Sequence, residues 1–285
     1  MNGKNFQSLI TGMTGMVGSH LADYLLENTD WEIHGVCRWR SPQDNIEHLI
    51  PKVNDGDRLF FHYGDLCDYI SLQNVIEKVR PDYVFHLAAQ SLVIRSYLDP
   101  KTTFETNVIG TLNVFECARS TPEVSCIVNI TSDKCYENKE WAWGYRENDS
   151  MGGYDPYSCS KAAAELVIDG YTNSFLEEQG IAISSARAGN IIGGGDWSLD
   201  RLIPDAVRAW SSEKNTLEIR RPNAIRPWQH VLEPLSGYMK LAELTWELPS
   251  ISGAYNFGPL TNSNATVKEI IELARKNYDR GEIAI

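Results

Sequence analysis

The stretch that decides the fold is Leu9-Ile10-Thr11-Gly12-Met13-Thr14-Gly15-Met16-Val17-Gly18. An apolar run ends at Ile10, three glycines follow at G-x-x-G-x-x-G spacing, and an amphipathic stretch begins at Val17. Glycines at this spacing permit a tight turn between a strand and a helix, and they let backbone N–H groups approach a pyrophosphate at the helix N-terminus. The sequence therefore predicts a dinucleotide-binding segment. Its predicted contacts are Gly12, Thr14, Gly15, Met16, Val17 and Gly18.

Short apolar runs and amphipathic stretches alternate along the first two thirds of the chain. The runs cover residues 9–10, 32–37, 59–63, 83–87, 126–130 and 181–186, and the amphipathic stretches cover 17–27, 69–79, 103–118 and 156–178. Strands buried on both faces read as continuous apolar runs, and strand–helix alternation predicts a parallel sheet with helices on both faces. We therefore predict an α/β fold, a Rossmann-type doubly wound parallel sheet.

The pattern becomes irregular from about Arg187 onward. Helical stretches return at 202–211, 235–246 and 266–276. We expect residues 1–186 to form a dinucleotide-binding Rossmann domain, with additions to its sheet from later segments. Residues 187–285 are expected to form mostly a smaller, discontinuous substrate lobe. The chain stops soon after a predicted helix, and this ending suggests that a C-terminal piece is missing.

Composition excludes several classes of protein. Charged residues balance as 26 − 38 = −12 and the sequence pI is near 5.0, whereas a surface that tracks nucleic acid would be basic. No apolar run approaches the ~20 residues of a membrane span. The six cysteines form no C-x-x-C pair and no zinc-spaced cluster with histidine. We therefore expect no nucleic acid, membrane or metal partner, and reduced thiols that fit the cytoplasm.

The second predicted strand ends in Cys-Arg-Trp-Arg-Ser, at residues 37–41. A carboxylate about 20 residues past the third glycine would bind the ribose 2′-hydroxyl of NAD, but Arg38 stands there. Arg38, Arg40 and Ser41 instead suit a 2′-phosphate, which favours NADP over NAD. The alternative is a solvated or subunit-contacting loop. The ends of the next two strands supply the other predicted cofactor contacts, which are Asp65, Leu66, Leu87, Ala88 and Ala89.

The predicted catalytic pair is Tyr157 and Lys161, in the sequence Tyr-Ser-Cys-Ser-Lys. A spacing of i, i+4 puts both side chains on one face of a helix. A lysine ammonium near a phenol stabilises the phenolate, and we expect it to pull the pKa of Tyr157 down toward the working pH. Such a tyrosine can take a proton from a sugar hydroxyl while hydride leaves the same carbon. Both residues are also expected to contact the cofactor.

The fifth predicted strand ends in Thr-Ser-Asp-Lys, at residues 131–134, on the same rim of the sheet. The hydroxyl of Ser132 can hold a substrate oxygen. Asp133 is a candidate acid, and Lys134 is a candidate base or electrostatic partner. A polar turn without function is the alternative.

Further polar residues at strand ends are candidates for substrate contacts. Gln90 and Ser91 follow the fourth predicted strand, and Arg-Ala-Gly-Asn at residues 187–190 follows the sixth. Arginine offers a fork for pyrophosphate oxygens and asparagine an amide for a sugar or phosphate. We select Asn190, and Arg226 in the second lobe, as substrate contacts; a structural role is the alternative for each.

The glycine segment, Y-x-x-x-K and R-x-x-N together resemble the extended short-chain dehydrogenase/reductase family, over essentially the whole chain. Residues 131–138, 152–158, 193–197 and 226–231 resemble CDP-glucose 4,6-dehydratases. Residues 37–41 and 45–49 are more similar to GDP-mannose and GDP-manno-heptose 4,6-dehydratases. The two halves of the chain therefore point to different nucleotides.

The resemblance implies an internal redox cycle on a nucleotide-diphosphate hexose. Tyr157 removes a proton as carbon 4 is oxidised, a base takes the proton at carbon 5, an acid assists loss of the 6-hydroxyl, and hydride returns to carbon 6. The product is a 4-keto-6-deoxy sugar, and the cofactor, NADP or NAD, stays tightly bound because it is not consumed. Many relatives carry glutamate as the base where this chain has Lys134. Lys134 replaces it only if desolvation keeps the amine neutral.

Several alternatives stay open at this point. A GDP-mannose or GDP-manno-heptose 4,6-dehydratase is the nearest, and a carbon-4 epimerase or reductase of the same family is the next. Asp133 and Lys134 argue against the epimerase and the reductase, which need no acid at that strand end. A dinucleotide-sensing protein without activity is the most remote, because a sensor does not need Tyr157 and Lys161. The resemblance also implies a homodimer or homotetramer.

Overall fold

The computed structural model describes residues 5–56, 58–260 and 264–285. A seven-stranded sheet, parallel throughout, lies at its centre in the order β11-β6-β5-β4-β1-β2-β3. Its strands are β1 (Gln7–Thr11), β2 (Glu32–Cys37), β3 (Leu59–Tyr63), β4 (Tyr83–His86), β5 (Cys126–Ile130), β6 (Ala182–Ala188) and β11 (Gly253–Phe257). Six of them lie within two residues of the predicted runs, so the predicted doubly wound α/β fold is confirmed.

Helices cover both faces of the sheet. They are α1 (Met16–Asn28), α2 (Ile50–Asn54), α3 (Tyr69–Val79), α4 (Val93–Leu98), α5 (Pro100–Phe104), α6 (Gly110–Arg119), α7 (Pro156–Tyr171), α8 (Leu202–Ser211), α9 (Leu232–Glu247) and α10 (Val267–Tyr278). One apolar core joins α1 and α9 to the sheet, and a second joins α3, α6 and α7 to its other face. The strands between the two edge strands, β11 and β3, are therefore buried on both sides, which explains the apolar runs within them.

The second half of the chain contributes to the sheet. Strand β11 pairs with β6 in parallel register from Gly253 opposite Ser184 to Phe257 opposite Ala188. The remaining short strands are β7 (Ile191–Ile192), β8 (Thr216–Glu218), β9 (Ile225–Arg226), β10 (Gln229–His230), β12 (Ala265–Thr266) and β13 (Glu282–Ala284). Strand β7 pairs with β10, β9 with β12, and β8 with β13. Residues around Trp210 and Ile271 form a separate small core beneath α8 and α10.

Two predicted helices are shorter or less regular than expected. The stretch 103–118 contains a π-helical turn, Glu105–Ile109, before α6 begins. Within this turn the Asn107 amide donates to Gln90 O and Ser160 Oγ. The stretch 156–178 leaves α-helical geometry after Tyr171, and a second π turn spans Thr172–Leu176. Among the described residues, the helices are too short or too polar to cross a bilayer.

Two histidines of the sheet are buried in their neutral form. Burial, and secondarily the charge of Lys161, lowers the pKa of His86 to about 3. Its ring contacts the hydroxyls of Thr11 and Thr111, at 2.7 and 3.2 Å. Burial, and then the charges of His62 and Lys78, lowers the pKa of His34 to about 4. Protonation of either ring is therefore unfavourable in the folded chain.

Because of these two histidines, we expect the folded chain to lose stability in acid. An unfolded histidine has a pKa of about 6.5, so below that pH the unfolded chain binds protons that the folded chain excludes. Their contribution to stability is complete above that pH and is lost as the pH falls toward the folded values. As the pH falls from 7 to 4, we expect the exclusion of a proton from His86 alone to lower the unfolding free energy by on the order of 3 kcal/mol. Urea unfolding at several pH values measures this loss.

A pair of variants isolates the contribution of His34 to the pH dependence of stability. His34→Phe removes a titrating ring that stacks on Phe60, and we expect it to flatten the pH dependence. His48→Phe is the matched control, because it replaces an exposed histidine outside the sheet by the same residue. Equal stability of the natural chain at pH 7 and pH 4.5 would contradict the prediction.

Candidate active site

The polar segments selected from the sequence meet at one edge of the sheet. The glycine segment follows β1, residues 87–91 follow β4, residues 131–134 follow β5 and residues 189–190 follow β6. These four strands are neighbours in the sheet, and parallel strands present their carboxyl ends at the same edge. The candidate site therefore combines segments that are far apart in sequence.

The glycine segment packs so closely that side chains are excluded at two positions. Gly12 has φ +77°, and a Cβ there would lie 2.8 Å from the Ala88 backbone. A Cβ on Gly18 would overlap the Gly12 carbonyl oxygen. Within the described residues, no side chain caps α1 and no acidic residue lies in its first turn. The first-turn N–H groups of α1 can therefore receive an anion, beside the exposed backbone of Gly15.

Tyr157 and Lys161 lie one turn apart on α7, with only 7 % and 6 % of their surfaces exposed. The start of α7 is fixed from two sides. Asp155 caps it by accepting from Ser158 N at 2.9 Å, and the Tyr157 N–H donates to the buried Ser96 hydroxyl at 3.1 Å. The two side chains predicted to act together therefore project from one rigid helical turn.

The pKa of Tyr157 moves opposite to the sequence-based expectation. Burial raises it to about 12, although a hydrogen bond with Ser132 and the charge of Arg201 act in the lowering direction. Burial also lowers the pKa of Lys161 to about 8, against the opposing charge of Glu165. The expected lowering of the Tyr157 pKa is therefore wrong, because desolvation outweighs the favourable neighbours.

Ser132, Asp133 and Lys134 lie where β5 ends. The Ser132 hydroxyl reaches Tyr157, donates to Asp133 at 3.2 Å and accepts from Lys134 N at 3.2 Å. The Lys134 ammonium is 3.1 Å from both Asp133 oxygens, and its side chain is 41 % exposed. Lys134 therefore lies in a partly exposed ion pair with Asp133 at this strand end.

The residues selected for the ribose lie beyond β2. Arg40 forms an exposed ion pair with Asp65 at 2.9 Å, and Arg38 Nε donates to Ser41 Oγ at 3.3 Å. Asp65 therefore faces the arginine loop directly. Leu66 is buried, and its carbonyl accepts from the Asn113 amide at 2.7 Å.

The Gln90 side chain is engaged in its own loop. Its side-chain amide is engaged within the chain, donating to Leu92 O and Thr103 Oγ1 and accepting from Leu92 N. Its backbone is held by Asn107. These contacts favour a structural role over the predicted substrate contact, because the amide holds its own loop.

The other three substrate candidates lie on the open side of the site. Ser91 is exposed and accepts from Arg201 at 3.2 Å. Asn190 follows β6, and its carbonyl accepts from Gln229 N. Arg226 is exposed in β9, and the adjoining Pro227 packs beside Gly189.

Two arginines have roles that the sequence did not reveal. Arg201 bridges Asp196 and Ser91, and its charge acts on Tyr157, so it stands at the mouth of the site. No motif marks it, because the irregular segment 189–201 brings it there. Arg187 of the R-x-x-N motif is buried and paired with Glu165 at 2.7 Å, so it faces the interior instead of a pyrophosphate.

A segment from the second half of the chain covers the glycine segment. The Gly194 carbonyl oxygen lies 3.0 Å from His20 Nε2 on α1. The Asn45 amide donates to Thr14 O at 3.2 Å, and Asn45 also lies directly against Gly195. Residues 193–195 therefore restrict access to the start of α1.

Comparison with known proteins identifies the family. The sequence model described as GDP-mannose 4,6 dehydratase matches residues 9–279. The chain is 44 % identical to a CDP-glucose 4,6-dehydratase from Salmonella typhimurium over 94 % of its own length and 76 % of that protein. This chain belongs to the GDP-mannose 4,6 dehydratase family. The predicted resemblance to nucleotide-sugar 4,6-dehydratases is thereby confirmed.

Other members and neighbours of the GDP-mannose 4,6 dehydratase family match over similar lengths. A GDP-mannose 4,6 dehydratase from Drosophila melanogaster is 28 % identical over 96 % of this chain and 68 % of that protein. A dTDP-glucose 4,6-dehydratase from Streptomyces venezuelae, solved with NAD bound, superimposes with a TM-score of 0.81 at 24 % identity, covering 98 % of this chain and 84 % of that one. The structural match supports the fold alone.

Proposed function

We propose that this chain is a nucleotide-sugar 4,6-dehydratase that converts CDP-glucose to the CDP-4-keto-6-deoxy sugar. The observation that carries the proposal is the meeting of Tyr157, Ser132 and Asp133 at the sheet edge that also bears the glycine segment. The identity of 44 % with a CDP-glucose 4,6-dehydratase favours cytidine over guanosine.

The glycine segment fits a dinucleotide pyrophosphate. Gly12 and Gly18 let the turn after β1 pack directly against backbone atoms where a Cβ would clash, and the first turn of α1 has no side-chain cap among the described residues. A bound nicotinamide dinucleotide would accept hydride from carbon 4 and return it at carbon 6. The residues that we assign to hold it are those of the glycine segment together with Asp65, Leu66, Leu87, Ala88, Ala89, Tyr157 and Lys161. Tight binding is supported by residues 193–195, which must move before a dinucleotide can leave.

Tyr157 and Ser132 act on the sugar 4-hydroxyl in this proposal. The Tyr157 oxygen takes the hydroxyl proton, and the Ser132 hydroxyl holds the same sugar oxygen by a hydrogen bond. Tyr157 must first lose its own proton to solvent, and the Lys161 ammonium stabilises the resulting phenolate, which is the form that takes the sugar proton. The Lys161 charge is needed because burial alone favours the neutral phenol.

Asp133 and Lys134 together supply an acid and a base for the elimination. Transfer of one proton from the Lys134 ammonium to Asp133, along their 3.1 Å contact, makes both groups neutral. Neutral groups are favoured when substrate excludes water. The Lys134 amine then takes the carbon 5 proton, and the Asp133 carboxyl protonates the departing 6-hydroxyl, so that water is lost. In this proposal the bound substrate provides the desolvation that a neutral Lys134 requires.

A panel of nucleotide sugars tests the proposed activity. CDP-glucose, GDP-mannose, GDP-manno-heptose, UDP-glucose and dTDP-glucose are each incubated with the enzyme, and the 4-keto-6-deoxy product is read by its absorbance in alkali. We expect the highest kcat/KM with CDP-glucose. A highest value with GDP-mannose would move the proposal to that substrate, and recovery of a carbon-4 epimer alone would defeat it.

We propose NADP as the preferred cofactor because Arg38, Arg40 and Ser41 follow β2, at the strand end where the ribose of a bound dinucleotide is expected. Arg38→Ala and Arg40→Ala should each weaken NADP binding roughly 10-fold or more, with little effect on NAD, because each removes charged hydrogen bonds to phosphate. Fluorescence titration with both dinucleotides measures the ratio. Arg80→Ala, an exposed arginine paired with Glu123, is the matched control. An unchanged NADP-to-NAD ratio in both variants would assign the arginines to another role.

We also propose that the chain forms a homodimer or homotetramer. Large apolar side chains are exposed on neighbouring helical segments, at Leu98, Ile109 and Leu166. Exposed apolar groups on adjacent elements are suited to burial against a second copy. Light scattering should therefore give at least twice the chain mass of 32.1 kDa. A monomeric mass at micromolar concentration would contradict this.

The division of the chain into two lobes and its location in the cell are proposals as well. We assign most of residues 187–285 to substrate binding, since they carry Asn190, Arg201 and Arg226. The six free thiols, four of them buried, are in keeping with a place in the reducing cytoplasm.

A further inference from the structure

The turn that follows β2 lies beside the glycine segment. Residues Asp44–Leu49 form a short 3₁₀ helix, and the side chains of Ile46 and Leu49 are buried in the same core as those of α1. Their burial fixes the turn, because moving them would expose apolar surface to water. Asn45 therefore projects from a firmly held element next to the glycine segment.

The Asn45 amide contacts two segments that are far apart in sequence. Its nitrogen donates to the Thr14 carbonyl oxygen, in the glycine segment, at 3.2 Å. Its oxygen lies directly against Gly195, where an added Cβ would overlap it. One side chain therefore joins the glycine segment to the second half of the chain.

Residues 193–195 are three consecutive glycines, so this segment has no side chain with which to hold its own position. Its backbone is held by groups at the start of α1. A Cβ on Gly193 would lie 3.2 Å from the Met16 sulfur, and the Gly194 carbonyl oxygen accepts from His20 Nε2 at 3.0 Å. Segments with few buried apolar contacts open locally at a low cost in free energy. The closed position of the segment therefore depends on contacts of this kind.

We infer that Asn45 is a positioning residue that holds residues 193–195 closed over the glycine segment and so slows both the entry and the release of the dinucleotide. The inference rests on the proposed dinucleotide site. When the Asn45 contact opens, backbone rotation within the three glycines lets the segment move away. Because the cofactor is not consumed in the proposed reaction, slow release does not limit turnover.

The test removes the contact from either side. Asn45→Ala deletes the amide, whereas Gly195→Ala places a methyl group against the amide oxygen and strains a backbone at φ +86°. Displacement of bound NADPH by excess NADP, followed by NADPH fluorescence, gives the release rate, and NADH is measured in parallel. Equilibrium titration gives the Kd, and the entry rate follows as the ratio of the release rate to the Kd.

We expect Asn45→Ala to raise both rates about 3–10-fold, because a lost hydrogen bond makes opening easier by that factor. Gly195→Ala should raise them at least as much. The Kd should change less than either rate, because the contact joins two parts of the chain and does not involve the dinucleotide. A residue that only supports the fold would not raise the entry rate.

Each variant has a matched control. Gly180→Ala introduces the same residue at φ +75°, where the added Cβ would meet no heavy atom of the described residues within 4 Å. Asn54→Ala removes the amide of an exposed asparagine at the end of α2, shortly after the same turn. Both controls should keep the release and entry rates of the natural chain.

Hydrogen exchange reports the opening without any ligand. In the chain free of dinucleotide, we expect the backbone amides of residues 193–195 to exchange about 3–10-fold faster in Asn45→Ala than in the natural chain. Asn54→Ala should leave their exchange unchanged. Equal exchange in Asn45→Ala and the natural chain would show that Asn45 does not hold this segment, and would overturn the inference.

The outcomes separate this inference from the proposed function. Neither the rates nor the exchange needs a sugar, so faster entry and release support the inference even if no sugar of the panel is turned over. Turnover of CDP-glucose together with unchanged rates in Asn45→Ala and Gly195→Ala would overturn the inference alone. Faster release with an unchanged entry rate would also overturn it, because Asn45 would then only stabilise the bound state. Binding of neither NADPH nor NADH would overturn both.

Discussion

Tyr157→Phe should reduce kcat for 4-keto sugar formation by about 10²–10⁴-fold, the range for loss of a positioned acid–base group. The substitution removes one oxygen and leaves the ring in its buried place on α7. The site loses the atom that takes the proton from the sugar 4-hydroxyl and the partner of the Ser132 hydroxyl. Turnover of CDP-glucose, together with the melting temperature of each variant, measures the effect.

Tyr238→Phe is the matched control for this experiment. Tyr238 lies on α9 and is fully buried in the core, and its hydroxyl has no hydrogen-bond partner among the described residues. Removing that oxygen should leave kcat unchanged and stability equal or slightly higher, since an unsatisfied polar atom is lost. Full turnover by Tyr157→Phe would show that the proton leaves by another route.

Gly18→Ala should weaken dinucleotide binding by roughly 10–100-fold and lower the unfolding free energy by about 1–3 kcal/mol, the cost of forced overpacking. The added methyl group would overlap the Gly12 carbonyl oxygen and lie 2.8 Å from Met13 Cα. Both neighbours are backbone atoms, so the glycine segment itself must shift. Fluorescence titration with NADP and urea unfolding measure the two effects.

Gly170→Ala provides the matched substitution at a permissive site. Gly170 lies in α7, and a Cβ there would meet no heavy atom within 4 Å. We expect this variant to be more stable by about 0.5–1 kcal/mol, because alanine favours the helix, and to bind dinucleotide normally. Similar dinucleotide affinity in the two variants would show that the glycine segment does not bind the cofactor.

The central strands could be predicted from the sequence because burial on both faces leaves a direct trace. The structure places a strand on each run from 32–37 to 126–130, and apolar residues predominate in these runs although single polar residues such as His62, His86 and Asn129 interrupt them. Strand β11 could not be predicted in this way. Its sequence, Gly-Ala-Tyr-Asn-Phe, lies at the edge of the sheet and stays half-buried, so no continuous apolar run marks it. It is recognised as a strand only in the structure, by its parallel pairing with β6.

The candidate site likewise contains features that could be predicted from the sequence and features that could not. Residues such as Ser132 and Asn190 were accessible to prediction because the carboxyl ends of parallel strands meet at one edge. The direction of the pKa change at Tyr157 depends on how many atoms surround the phenol, and the sequence does not contain that quantity. The internal use of the Gln90 amide and the approach of Arg201 likewise depend on loop paths set by distant contacts.

The late arrival of β11 constrains how the chain folds during synthesis. Strand β6 is buried along its whole length, yet its outer neighbour comes from residues 253–257, about 65 residues later. A nascent chain that has emerged only as far as α8 carries an apolar strand with unpaired backbone groups, which is a template for association with other chains. A fragment ending near residue 186 would therefore tend to aggregate, and the ribosome must release the second half before the first is protected.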